Sequence, residues 1–418
     1  MLTPHLFGTL FLFFLSFKFL AKLYLNLRNS KHIQKFRHAV PEKFASKMTL
    51  EEHQKAADYS QAKLKLANIS LFIDSLFLLI MVKFQGLGLL DLWARHLTIN
   101  HDFKITGMVF FAMIGMLSYM IDLPMNLYQT FVLEEKFGFN KTTIKIYITD
   151  MIKQTILGLV IGTPVLYTFF WLMDKMGAFW WIYAWAFLTI FQLVMIVLYP
   201  VFIAPLFNKF SPLPEGELKT TILNLLERVD FSSNGLFVMD ASKRSAHGNA
   251  YFTGLGKNKR IVFFDTLLKD LAPKEAEAVL AHELGHFKHK HILKSMIVSF
   301  VMSFFGMMLL GFLYLNLSFY TGHGVDQPST YMALYLFSTL ASLYLFPFTP
   351  FFTWKSRKNE FEADQFATIH SSGEDLIQAL LKLYKANAGT LTPDPLYSKI
   401  YYSHPPLFER VSYIESLK

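Results

Sequence analysis

The stretch VLAHELGH at residues 279–286 decides how the whole chain is interpreted, because it contains the spacing H-E-x-x-H. On a helix, His282 and His286 lie one turn apart on the same face, so both imidazoles can bind one Zn²⁺. Glu283 then lies beside the open position of the metal, where it can take a proton from water and pass it to a leaving amine. This pattern predicts the hydrolysis of peptide bonds.

The neighbouring residues predict that the motif lies on a helix outside the membrane. Pro273 stands at a first-turn position, and Glu275 and Glu277 lie near the positive end of the helix dipole. The same segment carries Lys288 and Lys290, and so many charges are incompatible with a helix buried in hydrocarbon. The alternative is an amphipathic surface helix with incidental histidines, but this context favours a zinc site.

The composition indicates an integral membrane protein. Of the 418 residues, 53% are hydrophobic and 17% aromatic, and long runs carry no charge, which is too apolar for an ordinary soluble enzyme. The absence of cysteine excludes disulfides, thiolate zinc sites and a cysteine nucleophile. The net charge of +9 suits basic cytoplasmic loops, and no basic face stands out that would indicate nucleic-acid binding.

Seven apolar runs are each close to the roughly 20 residues that cross a bilayer. In the first run, residues 6–27, Lys18 and Lys22 stand toward the C-terminal end, whereas a signal peptide carries its charge at the other end. This run therefore predicts a retained helix with Met1 outside. The other six runs are 66–92, 105–123, 151–173, 178–203, 292–319 and 331–353.

The distribution of basic residues predicts the orientation of these helices. Lys and Arg together number nine in segment 28–65, twelve in loop 204–291 and eight in the tail from residue 354. Loops on the other side carry fewer, with two in 93–104 and none in 320–330. Because basic residues concentrate in cytoplasmic loops, the loop with the zinc motif and the tail are predicted to share the cytoplasmic side.

These features predict a mainly α-helical, polytopic membrane protein whose zinc-peptidase part includes a small β-element. We expect transmembrane helices 1–5 in residues 1–203, with a cytoplasmic segment at 28–65. Residues 204–291 form a cytoplasmic loop domain with the H-E-x-x-H helix, residues 292–353 form helices 6 and 7, and residues 354–418 complete the zinc site.

Loop 204–291 also contains the candidate substrate site. Residues 236–239 and 260–264 have the pattern of short strands, and NAYFTG at residues 249–254 lies between them. An apolar, aromatic stretch that ends in glycine is the best candidate for an edge strand that pairs with an extended substrate. An ordinary hairpin would give the same pattern, so both interpretations stay open.

A zinc site also needs a third protein ligand. His289 shares a helical face with His282 but lies about 10 Å further along the axis, too far unless the helix turns sharply. We therefore predict that His289 and His291 are solvated or lie at the membrane interface. Glu360 and Asp364 are better candidates, because they stand four residues apart, so that one can bind the metal and the other can orient a ligand or manage protons.

Four further polar residues have open roles. Glu362 points to another side of that helix and is predicted to lie at the surface. His404, held by a Pro-Pro turn, resembles a hydrogen-bond donor to an oxyanion, although a terminal turn with a surface ion pair is equally consistent. Asp74 and Lys294 fall in apolar runs, where they either face a water-filled cavity or lie near the interface.

The chain resembles the integral-membrane CAAX prenyl zinc endopeptidases of the gluzincin type, the type I CAAX prenyl proteases, a seven-helix family that processes prenylated C-terminal tails. The resemblance covers nearly the whole chain. Beside H-E-x-x-H it is carried by LP at 123–124, FVLEEKFGFNK at 131–141, PLFNKF at 205–210, NAYFTG at 249–254, EFEAD at 360–364 and HPPLFER at 404–410.

This resemblance implies a role for each candidate residue and a large water-filled chamber, which would give Asp74 a polar setting. It implies a gluzincin-like site with one Zn²⁺ per chain, a general base, and a carboxylate that manages protons or orients a ligand. The implied zinc ligands are His282, His286 and Glu360. The implied base is Glu283, and the other carboxylate is Asp364. The substrate backbone would be held by Asn249, Ala250, Tyr251 and Phe252, and the site would be completed by His404 and Arg410.

The predicted function is hydrolysis of peptide bonds near the C-terminus of prenylated CAAX-type substrates, with membrane lipids as further partners and no nucleic acid. One alternative is a broad quality-control zinc peptidase for membrane proteins. Another is a non-enzymatic scaffold or transporter with structural zinc, against which Glu283 argues, because a structural site needs no base beside the metal. Short outer loops and the lack of cysteine favour a microbial member in a bacterial inner membrane; a eukaryotic member would lie in the endoplasmic reticulum.

Overall fold

The computed structural model describes residues 2–253 and 260–417, and most of these residues are helical. Among them, seven helical segments are long and apolar enough to cross a membrane: Pro4–Phe36, Leu50–Lys83, Phe103–Phe137, Ile144–Lys175, Gly177–Phe207, His291–Leu313 and Thr330–His370. The predicted mainly helical architecture with seven spans is confirmed. Met1 and Gly254, to which predictions above refer, lie outside the described residues.

The N-terminal part contains eight helices, and two π-helical stretches, Gln129–Glu134 and Tyr199–Ile203, join helices of this part. The helices are α1 (Pro4–Phe36), α2 (Leu50–Lys83), α3 (Gly86–Leu97), α4 (Phe103–Tyr128), α5 (Glu135–Phe137), α6 (Ile144–Lys175), α7 (Trp180–Leu198) and α8 (Ala204–Phe207).

Among its described residues, the C-terminal part contains four strands and ten more α-helices. In chain order these are β1 (Phe210–Pro212), α9 (Glu217–Arg228), β2 (Leu236–Met239), β3 (Ala250–Thr253), β4 (Arg260–Phe264), α10 (Asp265–Asp270), α11 (Pro273–Lys288), α12 (His291–Leu313), α13 (Leu317–Gly322), α14 (Thr330–Tyr344), α15 (Thr349–His370), α16 (Gly373–Ala386), α17 (Pro395–Tyr401) and α18 (Leu407–Ser416).

Three of the predicted runs are divided between separate helices. Run 66–92 is divided, because α2 ends at Lys83 and a left-handed Gln85, with φ of 58°, turns the chain into α3. Run 292–319 is divided between α12 and α13, where Asn316 is extended, and run 331–353 is divided between α14 and α15 by a short 3₁₀ helix, Phe346–Phe348. Hydropathy records how apolar a stretch is and carries no information about a change of chain direction, so these turns escaped the sequence pattern.

Two large apolar clusters hold the fold together. The membrane core joins the long helices through fully buried aromatic rings, among them Phe11, Phe110 and Phe170. The second core lies under the metal-motif helix and is built from α9, α11, α16, α18 and the sheet, with Leu225 and Leu284 completely buried in it. Close packing of this kind fixes the positions of polar residues on the same helices.

The four strands form one sheet in the order β1-β2-β4-β3. Strands β2 and β4 are parallel, which matches the two strands predicted from sequence, and β3 pairs antiparallel with β4. Strand β3 is therefore at the edge of the sheet, and its other side has no strand partner among the described residues. The sheet presents this edge next to α11, which contacts β3.

Helices α11 and α15 approach each other closely at Gly285. A Cβ atom placed on Gly285 would lie 2.9 Å from the Cα of Ala363 and 3.0 Å from the Cβ of Phe366. Both distances are shorter than a normal carbon–carbon contact of about 3.5–4.0 Å. Glycine and alanine at the crossing thus allow the backbones of the two helices to come close together.

We predict that Gly285→Ala lowers both thermal stability and zinc affinity. The added methyl group meets the backbone of α15 and must push that helix away, an overpacking effect that typically costs about 1–3 kcal/mol. Melting temperature in detergent and zinc affinity by competition with a chelator measure the two effects. The control is Gly158→Ala, where an added Cβ meets no heavy atom within 4 Å; equal behaviour of the two variants would contradict the prediction.

Candidate metal and catalytic site

Three side chains from α11 and α15 point their ligand atoms at a common position. His282 Nε2 lies 3.3 Å from His286 Nε2 and 3.5 Å from Glu360 Oε2. Glu360 Oε1 is 3.3 Å from His286 Nε2. The two histidines follow from the one-turn spacing on α11, whereas Glu360 reaches them only because α15 crosses α11 at Gly285.

This arrangement fits a tetrahedral zinc ion. With Zn–N and Zn–O bonds of about 2.0–2.2 Å, neighbouring ligand atoms of a tetrahedron are separated by about 3.4 Å. All three separations given above are close to that value. Glu360 Oε2 is also buried and lacks a hydrogen-bond partner in the structure. A buried carboxylate oxygen without a partner is costly, and a metal ion in this position would satisfy it.

Asp364 contacts the Nδ1 atom of His282, and Arg410 in turn holds Asp364. The other ring nitrogen of His282, Nε2, faces His286 and Glu360. Asp364 Oδ1 lies 2.9 Å from His282 Nδ1. Arg410 donates through Nε and Nη2 to the two oxygens of Asp364, at 2.9 and 2.5 Å. All three residues are buried, with Asp364 completely inaccessible. The bidentate geometry makes this a strong, directional pair.

The charges around His282 set its protonation. Burial alone would lower the pKa of the His282 imidazole, and Arg410 acts in the same direction, but the carboxylates of Asp364 and Glu360 raise the pKa to about 9. Burial would also lower the pKa of the Arg410 guanidinium, whereas Asp364 holds that pKa above its ordinary value. Because a histidine binds metal in its neutral form, protons compete with a metal for His282.

Glu283 follows His282 on α11, and His404 lies next to Glu360. The Glu283 carboxylate is half-buried and makes no hydrogen bond or ion pair with any described residue. His404 is exposed, its Nε2 is 3.4 Å from Glu360 Oε1, and its Nδ1 is 2.9 Å from the hydroxyl of Ser403. A carboxylate without a partner next to the ligand cluster is available to take a proton from water.

The residues predicted to hold substrate form the start of the sheet edge. Asn249 is exposed, its carbonyl accepts a hydrogen bond from Phe264 N–H, and its own side chain accepts from Ala250 N–H. Ala250, Tyr251 and Phe252 belong to β3 and are half-buried. The structure thus contains an edge strand here, and the pairing of β3 with β4 shows the hairpin-like contact as well.

The prediction that His291 is solvated was wrong, whereas Glu362 is partly exposed, which agrees with its predicted surface position. His291 is 4% exposed, and its two ring nitrogens lie 3.0 Å from His286 Nδ1 and 3.0 Å from Glu362 Oε2. The assumption of a straight helix caused the error, because α11 ends at Lys288 and Lys290 is left-handed with φ of 57°. Residues 288–291 contain neither glycine nor proline, so no local pattern in the sequence signals this turn. His289 is exposed, as predicted.

The ionisable residues of the apolar runs have different surroundings. Asp74, Lys18 and Lys22 line one cavity of about 440 Å³ between α1 and α2, so Asp74 faces a polar cavity. Lys294 is exposed in the first turn of α12. The cavity is also lined by Tyr397 of α17 and therefore reaches the C-terminal part of the chain.

Fold and site together define a metallopeptidase built into a membrane. A model of the CAAX prenyl protease N-terminal region with five membrane helices matches residues 29–209, and a model of peptidase family M48 matches residues 212–418. The chain belongs to family M48, in its CAAX prenyl protease branch.

Individual relatives agree with this assignment. CAAX prenyl protease 1 of Saccharomyces cerevisiae is 41% identical over 74% of this chain and 72% of its own length. The human CAAX prenyl protease 1 homolog is 36% identical over 76% of this chain and 75% of its own length. The crystal structure of S. mikatae Ste24p superposes with a TM-score of 0.91 at 35% identity and covers 98% of both chains.

We predict that Arg410→Met is strongly destabilising. It leaves the buried carboxylate of Asp364 without its positive partner, which typically costs about 3–5 kcal/mol. The double variant Asp364→Asn/Arg410→Met should melt higher than Arg410→Met alone, because no charge remains uncompensated. Arg228→Met is the control, since Arg228 pairs with Glu277 while half exposed. Melting in detergent provides the comparison, and a similar loss in both arginine variants would refute the prediction.

Proposed function

We propose that this chain is a zinc endopeptidase that cleaves peptide bonds near the C-terminus of prenylated, CAAX-type substrates. The observation that carries the proposal is the set of ligand atoms on His282, His286 and Glu360 at tetrahedral spacing, with the unpaired Glu283 beside them. Membership of the CAAX prenyl protease branch supports the substrate class. One Zn²⁺ per chain is the metal that this mixed nitrogen and oxygen set favours.

Each residue of the site has one task in this proposal. Zn²⁺, when bound, acts as a Lewis acid that makes water a stronger nucleophile. Glu283 takes the proton from the attacking water and transfers it to the leaving amine. Asp364, held by Arg410, fixes the ring of His282. His404, on the exposed side, donates a hydrogen bond to the developing oxyanion.

Strand β3 is proposed to bind the substrate backbone. Phe264 N–H bonds to Asn249 C=O, and backbone groups alternate in direction along an antiparallel pair. The N–H and C=O groups of Ala250 and Phe252 therefore point away from β4. The Asn249 side chain accepts from Ala250 N–H, which agrees with this direction. Because Ala250 N–H is bonded to Asn249, an extended peptide can pair with Ala250 C=O and with the N–H and C=O of Phe252 by strand addition.

The membrane helices are proposed to bind the lipid part of the substrate. A peptidase for soluble peptides alone would have little use for seven spanning segments. Burial of a prenyl chain is worth about 0.8 kcal/mol per CH₂ group, so partial burial of a farnesyl group is enough to separate lipidated from bare peptides. The concentration of basic residues in 28–65, 204–291 and the tail supports a location of the active site on the cytoplasmic side.

We predict different losses from the ligand and base variants. Glu360→Ala should lose both zinc and activity, because two imidazoles alone hold the metal weakly. Glu283→Gln should keep stoichiometric zinc but lose at least about 10²-fold in kcat, because no base remains. His289→Ala, at an exposed position, should keep zinc and activity. Metal content and peptide cleavage by the purified variants decide; zinc retained by Glu360→Ala but absent from His289→Ala would reverse the assignment.

We predict that a prenyl group raises the kcat/KM of cleavage, mainly through KM. Binding energy that is common to substrate and transition state lowers KM without changing kcat. The experiment compares one C-A-A-X peptide with and without its farnesyl group, in detergent and in lipid vesicles, with Glu283→Gln as a blank.

Each outcome of this comparison bears on a separate part of the proposal. Equal kcat/KM for both peptides would eliminate the prenyl-specific function and favour a quality-control peptidase with the same zinc chemistry. A wild-type protein that binds zinc but cleaves neither peptide would contradict the enzymatic function and leave a structural zinc.

A further inference from the structure

The two histidine ligands of the proposed site are supported in different ways. His282 has the buried pair of Asp364 and Arg410 behind its ring. His286 has a chain of two contacts instead: its Nδ1 lies 3.0 Å from His291 Nδ1, and His291 Nε2 lies 3.0 Å from Glu362 Oε2. His286, His291 and Glu362 come from three different helices, α11, α12 and α15.

The backbone is bent to make this contact. Helix α11 ends at Lys288, and Lys290 adopts the left-handed conformation with φ of 57° before α12 begins at His291. A residue with a side chain rarely adopts this conformation unless its surroundings hold it there. The bend turns His291 back onto His286, and the His291 ring is 4% exposed as a result.

Metal ligation at Nε2 of His286 assigns every proton in the chain of contacts. Its Nε2 faces Glu360 and His282, so the neutral ring carries its proton on Nδ1 and donates it to His291 Nδ1. His291 then accepts at Nδ1, which leaves its proton on Nε2. That proton is donated to the carboxylate of Glu362. One set of tautomers therefore satisfies Nδ1 of His286, both ring nitrogens of His291 and the carboxylate of Glu362.

We propose that His291 is a positioning residue for His286, anchored by Glu362, and that this chain holds the His286 ring in the orientation that binds zinc. The inference rests on the proposed function, because it takes His286 as a zinc ligand. A partner on the second nitrogen fixes the tautomer and the direction of a ligating imidazole and raises its affinity for metal. Loss of such a partner typically weakens metal binding about 10- to 100-fold.

A second metal site is the competing interpretation of the same residues. His289, His291 and Glu362 have ligand atoms within 4.8 Å of one another. However, both nitrogens of His291 already have protein partners, and the ring of His289 is stacked on that of His291 at 14° with centroids 5.5 Å apart. His289 is also exposed and donates no side-chain hydrogen bond to the described residues. These contacts favour the positioning role.

The test uses the full-length protein in detergent and measures zinc affinity by chelator competition and the visible spectrum after cobalt substitution. His291→Phe keeps a ring of similar shape but has no nitrogen, so zinc should bind about 10- to 100-fold more weakly. His291→Gln can accept from His286 through its carbonyl and donate to Glu362 through its amide, so it should restore most of the affinity. His289→Phe is the matched control and should bind zinc and cobalt as the wild type does.

Glu362→Leu provides an independent variant. It removes the acceptor for His291 Nε2–H and should weaken zinc binding in the same direction as His291→Phe, whereas Glu362→Gln keeps an acceptor and should bind more tightly than Glu362→Leu. The cobalt spectrum reports ligand geometry, which a general loss of stability would not change in a folded, loaded protein. Melting temperatures of all variants are measured alongside.

Three results would overturn the positioning role. The first is wild-type zinc affinity and an unchanged cobalt spectrum in His291→Phe. The second is an equal loss in His291→Phe and His291→Gln, which would indicate a packing role only. The third is a second zinc equivalent in the wild type that is absent from both His289→Phe and Glu362→Gln. A wild-type protein that binds no zinc would instead refute the proposed function, so the two failures are distinguishable.

Discussion

The close crossing of α11 and α15 at Gly285 is the constraint on which the site depends. Glu360 is 74 residues after His286 in the chain, and nothing local brings them together. The crossing does so because Gly285 and Ala363 have little or no side chain between the two backbones. The second core, with Leu284 and Ala281 completely buried on α11, keeps the helix in this position. The proposed metal site is thus a consequence of helix packing.

The supports behind the two histidines tie the site to distant parts of the chain. Arg410, near the C-terminus, reaches Asp364 and so links α18 to α15 and α11. His291 is the first residue of α12, so a membrane-spanning helix begins at the contact with His286. The histidine pair of the proposed metal site is therefore in contact with a membrane helix through His286 and with the C-terminal helix α18 through His282.

The polar groups inside the apolar region belong to the same architecture. Lys18, Lys22 and Asp74 line one cavity, and a shared cavity is a common setting for charged side chains in spanning helices. Tyr397 and Tyr401 of α17 line that cavity too, so it extends to the part of the chain that carries the site.

Sequence alone determined the features that depend on local spacing and composition. The seven apolar runs follow from composition, and the structure has a spanning segment for each of them. Periodicity predicts the helix with His282 and His286 one turn apart and the two strands around residues 236–239 and 260–264, and the structure contains these too. The i,i+4 spacing of Glu360 and Asp364 did not show which of the two carboxylates contacts the Nε2 atoms of His282 and His286. The packing of α15 against α11 decides this, because it brings Glu360 to the Nε2 atoms and Asp364 to Nδ1 of His282.

Only the tertiary structure decided the surroundings of His286. The prediction of a straight helix placed His291 in solvent or at the membrane interface, because pattern arguments carry the 3.6-residue period forward until a proline or glycine stops it. Here a lysine stops it, at φ of 57°, and packing of α12 against α11 holds the lysine there. The energy that favours this bend comes from contacts between residues far apart in the chain, such as His291 with Glu362, and no local pattern records such contacts.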